Sequence, residues 1–328
     1  MRMKTSRSSA WPAFCSPTSG RPLELRNNAW VSLEGNESFP HEAGISNFVG
    51  DDGYAEHFGW QWNRFPRTQL DSYTGLQVSE VRLQRCIGSE LWSRLAGMQV
   101  LECGCGAGRF TEVLLSQKSV VTSIDLSSAV QANSRNFPPS DVHRIAKCDI
   151  VKLPFSPRQF DLVLCLGVVQ HTPNPEATIA KLYEQVRPGG MLVIDHYTHE
   201  RGRWSSVKPL VRAWLKRQPP QNTLSIIEGL VDRFLPWHKR FRSVYPLWFL
   251  LCRVSPIVTY YRLMPELSDS LQREWALLDS HDSLTDWYKH LRTESQIRAT
   301  VENLGLQNIW SATSGNGIEA RGTRPLAG

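Results

Sequence analysis

The residues whose types and spacing most clearly suggest a chemical role form a glycine-rich turn. The stretch 100–108 reads Val-Leu-Glu-Cys-Gly-Cys-Gly-Ala-Gly, an apolar strand that runs through E-x-G-x-G-x-G into a helical pattern. Glycines allow a tight turn and a close approach to a ligand, while the helix N-terminus offers free N–H groups. A dinucleotide site prefers G-x-G-x-x-G, but here Gly108 comes one position early and the acidic Glu102 precedes the first glycine by two positions. Both departures point away from NAD.

Ionisable side chains follow the later predicted strands. His171 follows the fourth strand, where it is either a general base, since imidazole titrates near neutral pH, or a structural histidine bonded to the loop backbone. His196 is a second candidate base, because it leaves the fifth strand at the edge where open α/β sheets place ligands. The polar cluster at 279–282 could serve chemistry or a loop network. The predicted substrate contacts are Trp62, Tyr197, His199 and Asp282.

Alternating short apolar runs and helical patterns between residues 97 and 197 predict βαβ units and a parallel sheet. The predicted strands span 99–102, 120–125, 142–148, 160–166 and 191–197. A helix at 175–186 is predicted to stop at the Arg-Pro-Gly-Gly segment 187–190. The pattern resumes at Thr293 with a capping-box-like helix start, followed by strands at 306–313 and 317–322.

These patterns divide the 328-residue chain into five predicted segments. We expect the sheet core to be split by a mainly helical insertion rich in Pro, Trp and Arg. The segments are an irregular N-terminal appendage at 1–50, a helical lid at 51–96, the core at 97–197, the inserted cap at 198–292, and a helix with a strand hairpin at 293–328 that completes the core.

At these motifs the chain resembles class I S-adenosylmethionine (SAM)-dependent methyltransferases, of the type grouped as methyltransferase domain families 11 and 25. The resemblance covers residues 97–197 and 293–323. It rests on the glycine turn and on motifs that follow in the family's order and spacing, at 125, 148–150, 159–171 and 187–190. It implies a Rossmann-like seven-stranded α/β sheet, SAM as cofactor, and a transferase of class EC 2.1.1.-.

The resemblance also implies roles for single residues. The three glycines of the turn would lie against the methionine and adenosine parts of SAM, and Glu102 near its amino group. Asp125 would accept both ribose hydroxyls, a task that suits an acceptor-only carboxylate. The segment 148–150 would hold the adenine. The predicted cofactor contacts are Glu102, Gly104, Gly106, Gly108, Asp125, Leu126, Asp149, Ile150 and Leu166.

We expect no metal site. Quinone O-methyltransferases carry a similar segment with two acidic residues before the histidine, where this chain has Gly167 and Gln170. The segments 58–65 and 68–72 resemble those that precede the fold in bacterial methyltransferases, many of which look as if they begin with a zinc ribbon. Cys15 stands here without the CxxC pairs, and zinc needs about four ligands. The N-terminal segment is therefore interpreted as a degenerate, metal-free ribbon.

The net charge of +6 comes from one segment, because residues 201–262 hold twelve Lys or Arg against Glu228 and Asp232, with seven Trp or Phe among them. This segment is a solvated face of the cap, a site for an acidic or lipid-linked substrate at a membrane surface, or a nucleic-acid contact. The oligomeric state is left open. With no run of 18 apolar residues and no regular cysteine framework, we expect a cytoplasmic protein.

The predicted function is SAM-dependent methylation of a small-molecule acceptor by in-line transfer. Oxygen or carbon is favoured over nitrogen, because Gln-His-Thr-Pro at 170–173 replaces the Asn-Pro-Pro-Tyr-type motif of amine methylation, which also disfavours nucleic acid. One alternative is a lipid-anchored or quinone-type acceptor at a membrane surface, contacted through 201–262. Another is a non-catalytic SAM-binding regulatory protein.

Overall fold

A computed structural model describes residues 11–50, 53–198, 206–218, 220–315 and 317–326. Within these ranges the chain forms a mixed sheet in the order β1-β2-β3-β4-β7-β6-β5-β8-β9-β11-β10. The strands are β1 (Leu23–Arg26), β2 (Ala29–Ser32), β3 (Ser38–Glu42), β4 (Ile45–Asn47), β5 (Gln99–Cys103), β6 (Val120–Asp125), β7 (His143–Lys147), β8 (Phe160–Cys165), β9 (Val186–His196), β10 (Gln307–Ser314) and β11 (Gly317–Thr323).

The part of the sheet built by β5 to β11 confirms the predicted Rossmann-like α/β fold. Strands β5 to β9 pair in parallel, whereas β11 runs antiparallel between β9 and β10. All six residues of β8 are buried, as the continuous apolar run predicts for a strand covered on both faces. The carboxyl ends of the parallel strands therefore meet at one edge of the sheet.

The helix ends at Gln185, as the Arg-Pro-Gly-Gly segment at 187–190 predicts, but this segment itself belongs to β9, which begins at Val186 and not at the predicted residue 191. Gly189 has a φ of +76°, and a Cβ at Gly190 would lie 2.8 Å from the carbonyl oxygen of Asp161. The pairing with β8 shifts register between Phe160 and Leu162. The glycines thus let the strand bulge and approach its neighbour closely instead of breaking it.

The prediction of an irregular segment at 1–50 and of a seven-stranded sheet is corrected by β1 to β4, which extend the sheet to eleven strands. Asn27 and Asn28 both have positive φ and close a two-residue hairpin, as do Ala43 and Gly44. Such pairs suit the turn that matches strand twist. Strand β4 then pairs in parallel with β7, so this segment is an extension of the sheet.

Helices cover the sheet and form the cap. They are α1 (Glu56–Arg64), α2 (Asp71–Thr74), α3 (Val78–Ile87), α4 (Ser89–Trp92), α5 (Arg109–Ser116), α6 (Ala129–Asn136), α7 (Pro175–Gln185), α8 (Lys208–Leu215), α9 (Pro220–Phe241), α10 (Tyr245–Val254), α11 (Asp269–Thr285) and α12 (Glu294–Asn303). In the described ranges, none of these helices is long and apolar enough to cross a membrane.

The cap has a hydrophobic core of its own. Leu215 of α8, Val231 of α9 and Leu278 of α11 belong to one buried cluster, which also takes in Phe65 from the end of α1. Burial of apolar surface contributes about 25 cal/mol per Å², so this shared cluster ties the lid helix to the cap. The two together are held over the carboxyl edge of the sheet.

Candidate active site

A cavity of about 1440 Å³ lies where the sheet edge meets the lid and cap helices. One wall comes from the ends of β5, β6, β8 and β9, and the other from α1, α3, α8, α10 and α11. Ligands of open α/β sheets bind at this edge. Of the predicted site residues, the cavity wall contains Gly104, Gly106, Asp125, Leu126, Ile150, Leu166, His171, Trp62, Tyr197 and Asp282.

The turn after β5 needs glycine for steric reasons. Gly104 has a φ of +73°, and a Cβ there would lie 2.2 Å from Cγ2 of Val168. The backbone N–H groups of Gly104 and Cys105 both donate to the carbonyl oxygen of Ile124, at 2.8 and 2.9 Å. The turn is therefore fixed to the end of β6, and its surface is bare backbone.

Asp125 is locked against this turn. Its Oδ2 accepts a hydrogen bond from the backbone N–H of Gly106 at 3.0 Å, and its Oδ1 accepts from the N–H and hydroxyl of Ser127. The carboxylate is only partly buried and lines the cavity beside Leu126. These bonds set its orientation at the end of β6, so it presents a preorganised acceptor to the cavity.

Trp62 of α1 closes the turn from the lid side. A Cβ at Gly106 would lie 3.1 Å from Cε2 of the Trp62 indole. Trp62 also packs against the cap cluster. It was expected to contact the substrate, and the structure places it directly over the glycine turn.

Glu102 lies in a buried polar network beneath the turn, away from the cavity wall. Its Oε2 accepts hydrogen bonds from the hydroxyls of Thr111 at 2.5 Å and Ser123 at 2.8 Å, and Ser123 also bonds Nε2 of His143. Burial raises the pKa of Glu102 to about 7, against the opposing effect of these hydrogen bonds. The carboxyl fixes α5 to β5 and β6, a position that differs from the predicted contact with the cofactor's amino group.

Three more predicted residues lie off the described cavity wall. Gly108 directly precedes α5, and a Cβ there would lie 2.7 Å from the Phe137 ring. Asp149 caps the turn that follows it by accepting from the N–H of Val151 at 3.0 Å. His196 is fully buried, and its Nδ1 lies 2.9 Å from the carbonyl oxygen of Tyr197. These three residues therefore lie behind the surface of the cavity and do not line it.

His196 is a poor base in this position. It shares a face of β9 with Ile194, which belongs to the main hydrophobic core, because residues two apart on a strand point the same way. Burial lowers its pKa. The predicted catalytic role therefore finds no support in its surroundings. His199, the neighbouring candidate, lies outside the described residues.

His171 lies at the cavity wall against two carboxylates. Its Nδ1 lies 3.4 Å from Oδ2 of Asp286 and 3.2 Å from the carbonyl oxygen of Tyr288, while its Nε2 lies 3.9 Å from Oδ1 of Asp282. A carbonyl only accepts, so Nδ1 carries a proton and Nε2 is the nitrogen that can take up another. Burial by itself would lower the pKa of His171, but Asp282 and Asp286 outweigh it and raise the pKa.

Asp286 was missed in the sequence, although it is the best-connected group of the site. It is fully buried; Arg212 donates from Nε to Oδ1 at 2.8 Å, and Lys289 Nζ lies 3.5 Å from Oδ2. Burial would raise the pKa of Asp286, but the adjacent imidazole of His171 and the charge of Lys289 lower it. The pair resembles a His–Asp dyad, in which a carboxylate orients the imidazole.

A second acidic patch lies deeper under the cap. Tyr197 donates from its hydroxyl to Oδ2 of Asp282 at 3.3 Å, and the hydroxyl of Tyr260 bonds Asp279. Burial raises the pKa of Asp279 to about 6. Arg109 lines the same cavity, and burial lowers the pKa of its guanidinium to about 10. The cluster at 279–282 thus reaches the cavity, which sequence spacing left undecided.

Residues 101–194 match the family model described as a methyltransferase domain. These residues therefore form a methyltransferase domain. This methyltransferase domain coincides with β5 to β9 and with the glycine turn, Asp125 and His171, so the matched residues supply the sheet wall of the cavity.

Curated methyltransferases are among the relatives that match the chain. The malonyl-[acyl-carrier protein] O-methyltransferase of Enterobacter lignolyticus is 30% identical over 157 residues, which cover 45% of this chain and 62% of the relative. The ubiquinone biosynthesis O-methyltransferase of Pseudomonas putida is 33% identical over 101 residues, which cover 30% of this chain and 44% of the relative. The chain thus spans less than two thirds of the length of either relative. The crystal structure of human N-acetylserotonin methyltransferase in complex with SAM is 14% identical, covers 70% of this chain and 48% of that one, and has a TM-score of 0.39.

Proposed function

We propose that this methyltransferase binds SAM at the glycine turn and transfers its methyl group to a small-molecule acceptor in the same cavity. One observation carries the proposal. The glycine turn, Asp125 and His171 line the same cavity, and Asp286, from a different part of the chain, lies against His171. Both relatives are named O-methyltransferases. Their names favour oxygen over carbon as the atom that is methylated.

The residues at the sheet edge fit SAM. The turn at Gly104 and Gly106 presents its backbone to the cavity, and the Asp125 carboxylate beside it is held in place as an acceptor of O–H donors. Leu126, Ile150 and Leu166 supply an apolar surface beside them. When bound, SAM supplies an electrophilic methyl group on a sulfonium centre.

His171 is the proposed base. An acceptor hydroxyl must lose its proton as the new bond to carbon forms, and Nε2 of His171 is the nitrogen available to receive it. Asp286 holds the ring from the Nδ1 side and stabilises the imidazolium that results. Tyr197 and Asp282 lie on the same wall, where they can position a polar acceptor.

The lid and the cap exclude water from this chemistry. Phe58 and Tyr197 pack edge-on against the His171 ring, with centroids 5.3 and 5.2 Å away. Trp62 covers the turn from the other side. Methyl transfer depends mainly on aligned partners in a dry pocket, and these aromatic walls provide the enclosure.

Two measurements on the purified chain test the proposal. Calorimetry should show SAM binding that weakens in Asp125→Ala. The chain is then incubated with radiolabelled SAM and a cell extract, and the products are divided into organic, small-molecule aqueous and macromolecular fractions. Label should be transferred to one of these fractions, and the transfer should depend on His171. SAM binding without transfer in extracts of several growth conditions would favour the non-catalytic alternative, and no SAM binding would overturn the proposal.

A second candidate function is methylation of a lipid-anchored or quinone-type acceptor at a membrane surface. The observation that favours it is the exposure of an apolar helix of the cap, α10, beside the cavity. Label in the organic fraction would support this version, and label in the small aqueous fraction would support a soluble acceptor.

A further inference from the structure

Helix α10 is apolar around its circumference, yet none of its residues is buried. Its sequence reads Tyr-Pro-Leu-Trp-Phe-Leu-Leu-Cys-Arg-Val. Helices of this composition are normally enclosed by protein or lipid. An apolar helix that leaves so much of its surface exposed therefore indicates a contact with something outside this chain.

One side of α10 forms part of the cavity wall. Tyr245, Trp248, Phe249 and Cys252 line the cavity, at the i, i+3, i+4 and i+7 spacing that places residues on one helix face. At this point, α10 alone separates the cavity from the outer surface.

The other side of α10 faces outward. Leu247, Leu250 and Val254 are 45%, 61% and 50% exposed, and their i, i+3 and i+7 spacing places them on one face. Leu263, which is 77% exposed, also lines the cavity. The cavity therefore reaches the surface at Leu263, whose neighbour Arg262 lies over the rings of Tyr245 and Trp248 of α10.

The sequence on either side of α10 carries charged side chains of a single sign. Between Asp232 and Glu266 the sequence contains six Lys or Arg and no carboxylate side chain. Arg262 lies over the rings of Trp248, at 4.9 Å, and Tyr245, at 5.5 Å, and Arg253 lies over Phe249, at 4.4 Å. Cations beside aromatic and aliphatic side chains are the composition that binds an anionic lipid interface.

We propose that α10 docks on an anionic membrane surface and that the cavity receives a lipid-soluble acceptor through the mouth at Leu263. The proposal rests on the proposed function, because it names the class of acceptor and its route. A second copy of the chain is a poorer occupant of this face, since two copies would bring their Lys and Arg residues together.

Vesicle flotation tests the docking step without any acceptor. The full chain is mixed with vesicles of phosphatidylcholine alone or with phosphatidylglycerol added. We expect binding to the anionic vesicles that is lost between about 0.1 M and about 1 M NaCl, where the Debye length falls from about 10 Å to about 3 Å. Equal binding to both vesicle types, or binding that resists salt, would overturn the electrostatic part of the proposal.

Two variants on the outer surface sharpen the test. Leu247→Glu with Leu250→Glu places charges in the apolar face without touching the cavity, and Arg240→Glu with Arg242→Glu reverses two cations next to α10. Loss of two cations alone predicts about 30-fold weaker vesicle binding, from about 1 kcal/mol each. The matched controls are Leu33→Glu and Arg94→Glu, at exposed positions outside the cap, which should bind as the unaltered chain does.

SAM calorimetry on the same samples separates the two proposals. Vesicle binding lost in the α10 variants with unchanged SAM affinity supports docking. No vesicle binding by a chain that still binds SAM overturns docking and leaves the methyltransferase proposal intact. If light scattering shows a dimer that Leu247→Glu with Leu250→Glu converts to a monomer, the face is an interface between copies and membrane docking is wrong.

Discussion

Nδ1 of His171 lies 3.4 Å from Oδ2 of Asp286, although the two residues are 115 positions apart in the sequence. His171 follows the fourth core strand, β8, whereas Asp286 directly follows the cap helix α11. The pair therefore exists only when the cap is folded onto the sheet. Proton transfer to the proposed base, His171, would therefore depend on the cap being closed over the cavity.

Asp286→Asn should shift the pH profile of methyl transfer to an oxygen acceptor. Asp282 and Asp286 raise the pKa of His171 above its ordinary value, so the neutral imidazole, which is the competent base, becomes dominant only as the pH rises through that raised pKa. Removal of the Asp286 carboxylate lowers the pKa of His171, so the ascending limb of the kcat–pH profile should move to lower pH. The profile is measured with saturating SAM.

Asp269→Asn is the matched control, because it makes the same change at an exposed position of α11. His171→Ala should lower kcat by about 10²- to 10⁴-fold with SAM affinity unchanged. If the ascending limb of the kcat–pH profile does not move in Asp286→Asn and His171→Ala keeps full activity, His171 and Asp286 have a structural role only.

Asp125→Ala should weaken SAM binding by about 1.5–3 kcal/mol, the range for hydrogen bonds to charged groups, or about 10- to 150-fold. The carboxylate also holds Gly106 and Ser127, so the loss affects the turn as well as the direct contact. Calorimetry provides the affinity. Asp141→Ala, at an exposed carboxylate before β7, should bind SAM normally, and equal affinity of both variants would remove the assignment of Asp125 to the ribose.

Gly104→Ala should destabilise the chain more than Gly97→Ala does. Both glycines have nearly the same φ, +73° and +75°, so both variants carry the left-handed strain of about 1–2 kcal/mol. Only at Gly104 does the new Cβ meet an atom, Cγ2 of Val168 at 2.2 Å, whereas no atom lies within 4 Å of a Cβ at Gly97. Overpacking adds about 1–3 kcal/mol. Urea unfolding measures the difference.

The addition of Val168→Ala to Gly104→Ala removes the clashing methyl groups and should recover part of the lost free energy of unfolding. The same addition to Gly97→Ala should recover none. Equal stability of the two single variants would show that the turn can move away from Val168.

The sequence predicted those parts of the site that depend on local pattern. The glycine turn, Asp125 and the core strands follow from periodicity and from short-range steric rules that each segment obeys by itself. The hairpins at 27–28 and 43–44 carry a weaker local signal, because Asn and Gly are residues that tolerate the positive φ such turns require. Their strands are only three to five residues long, too short for an alternating pattern to identify them.

The contacts across the cavity could not be predicted in the same way. Asp286 reaches His171 through the packing of α11 on α8 and α9, which depends on the fold of the whole cap. His196 shows a different cause of error. Its place at a strand end suggested the cavity, but strand alternation puts it on the face of Ile194 and directs it into the core.

Glu102→Gln should raise the free energy of unfolding above neutral pH and leave it unchanged in acid. Burial raises the pKa of Glu102 from 4.5 to about 7, so the folded chain keeps a proton that the unfolded chain releases. Stability from this group is therefore fully present below pH 4.5, falls as the pH rises, and is lost above about pH 7. The change from 4.5 to about 7 corresponds to about 3 kcal/mol.

Glutamine mimics the protonated carboxyl and does not ionise, so the variant should lack this decline. Urea unfolding at a series of pH values measures it, and Glu90→Gln, at an exposed glutamate of α4, should follow the unaltered chain throughout. SAM affinity distinguishes the structural role of Glu102 from the role expected at the sequence level. Because the carboxyl lies in the network of Thr111 and Ser123 beneath the turn, the affinity of Glu102→Gln should match that of the unaltered chain. A large loss of affinity in a variant of undiminished stability would place Glu102 against the cofactor instead.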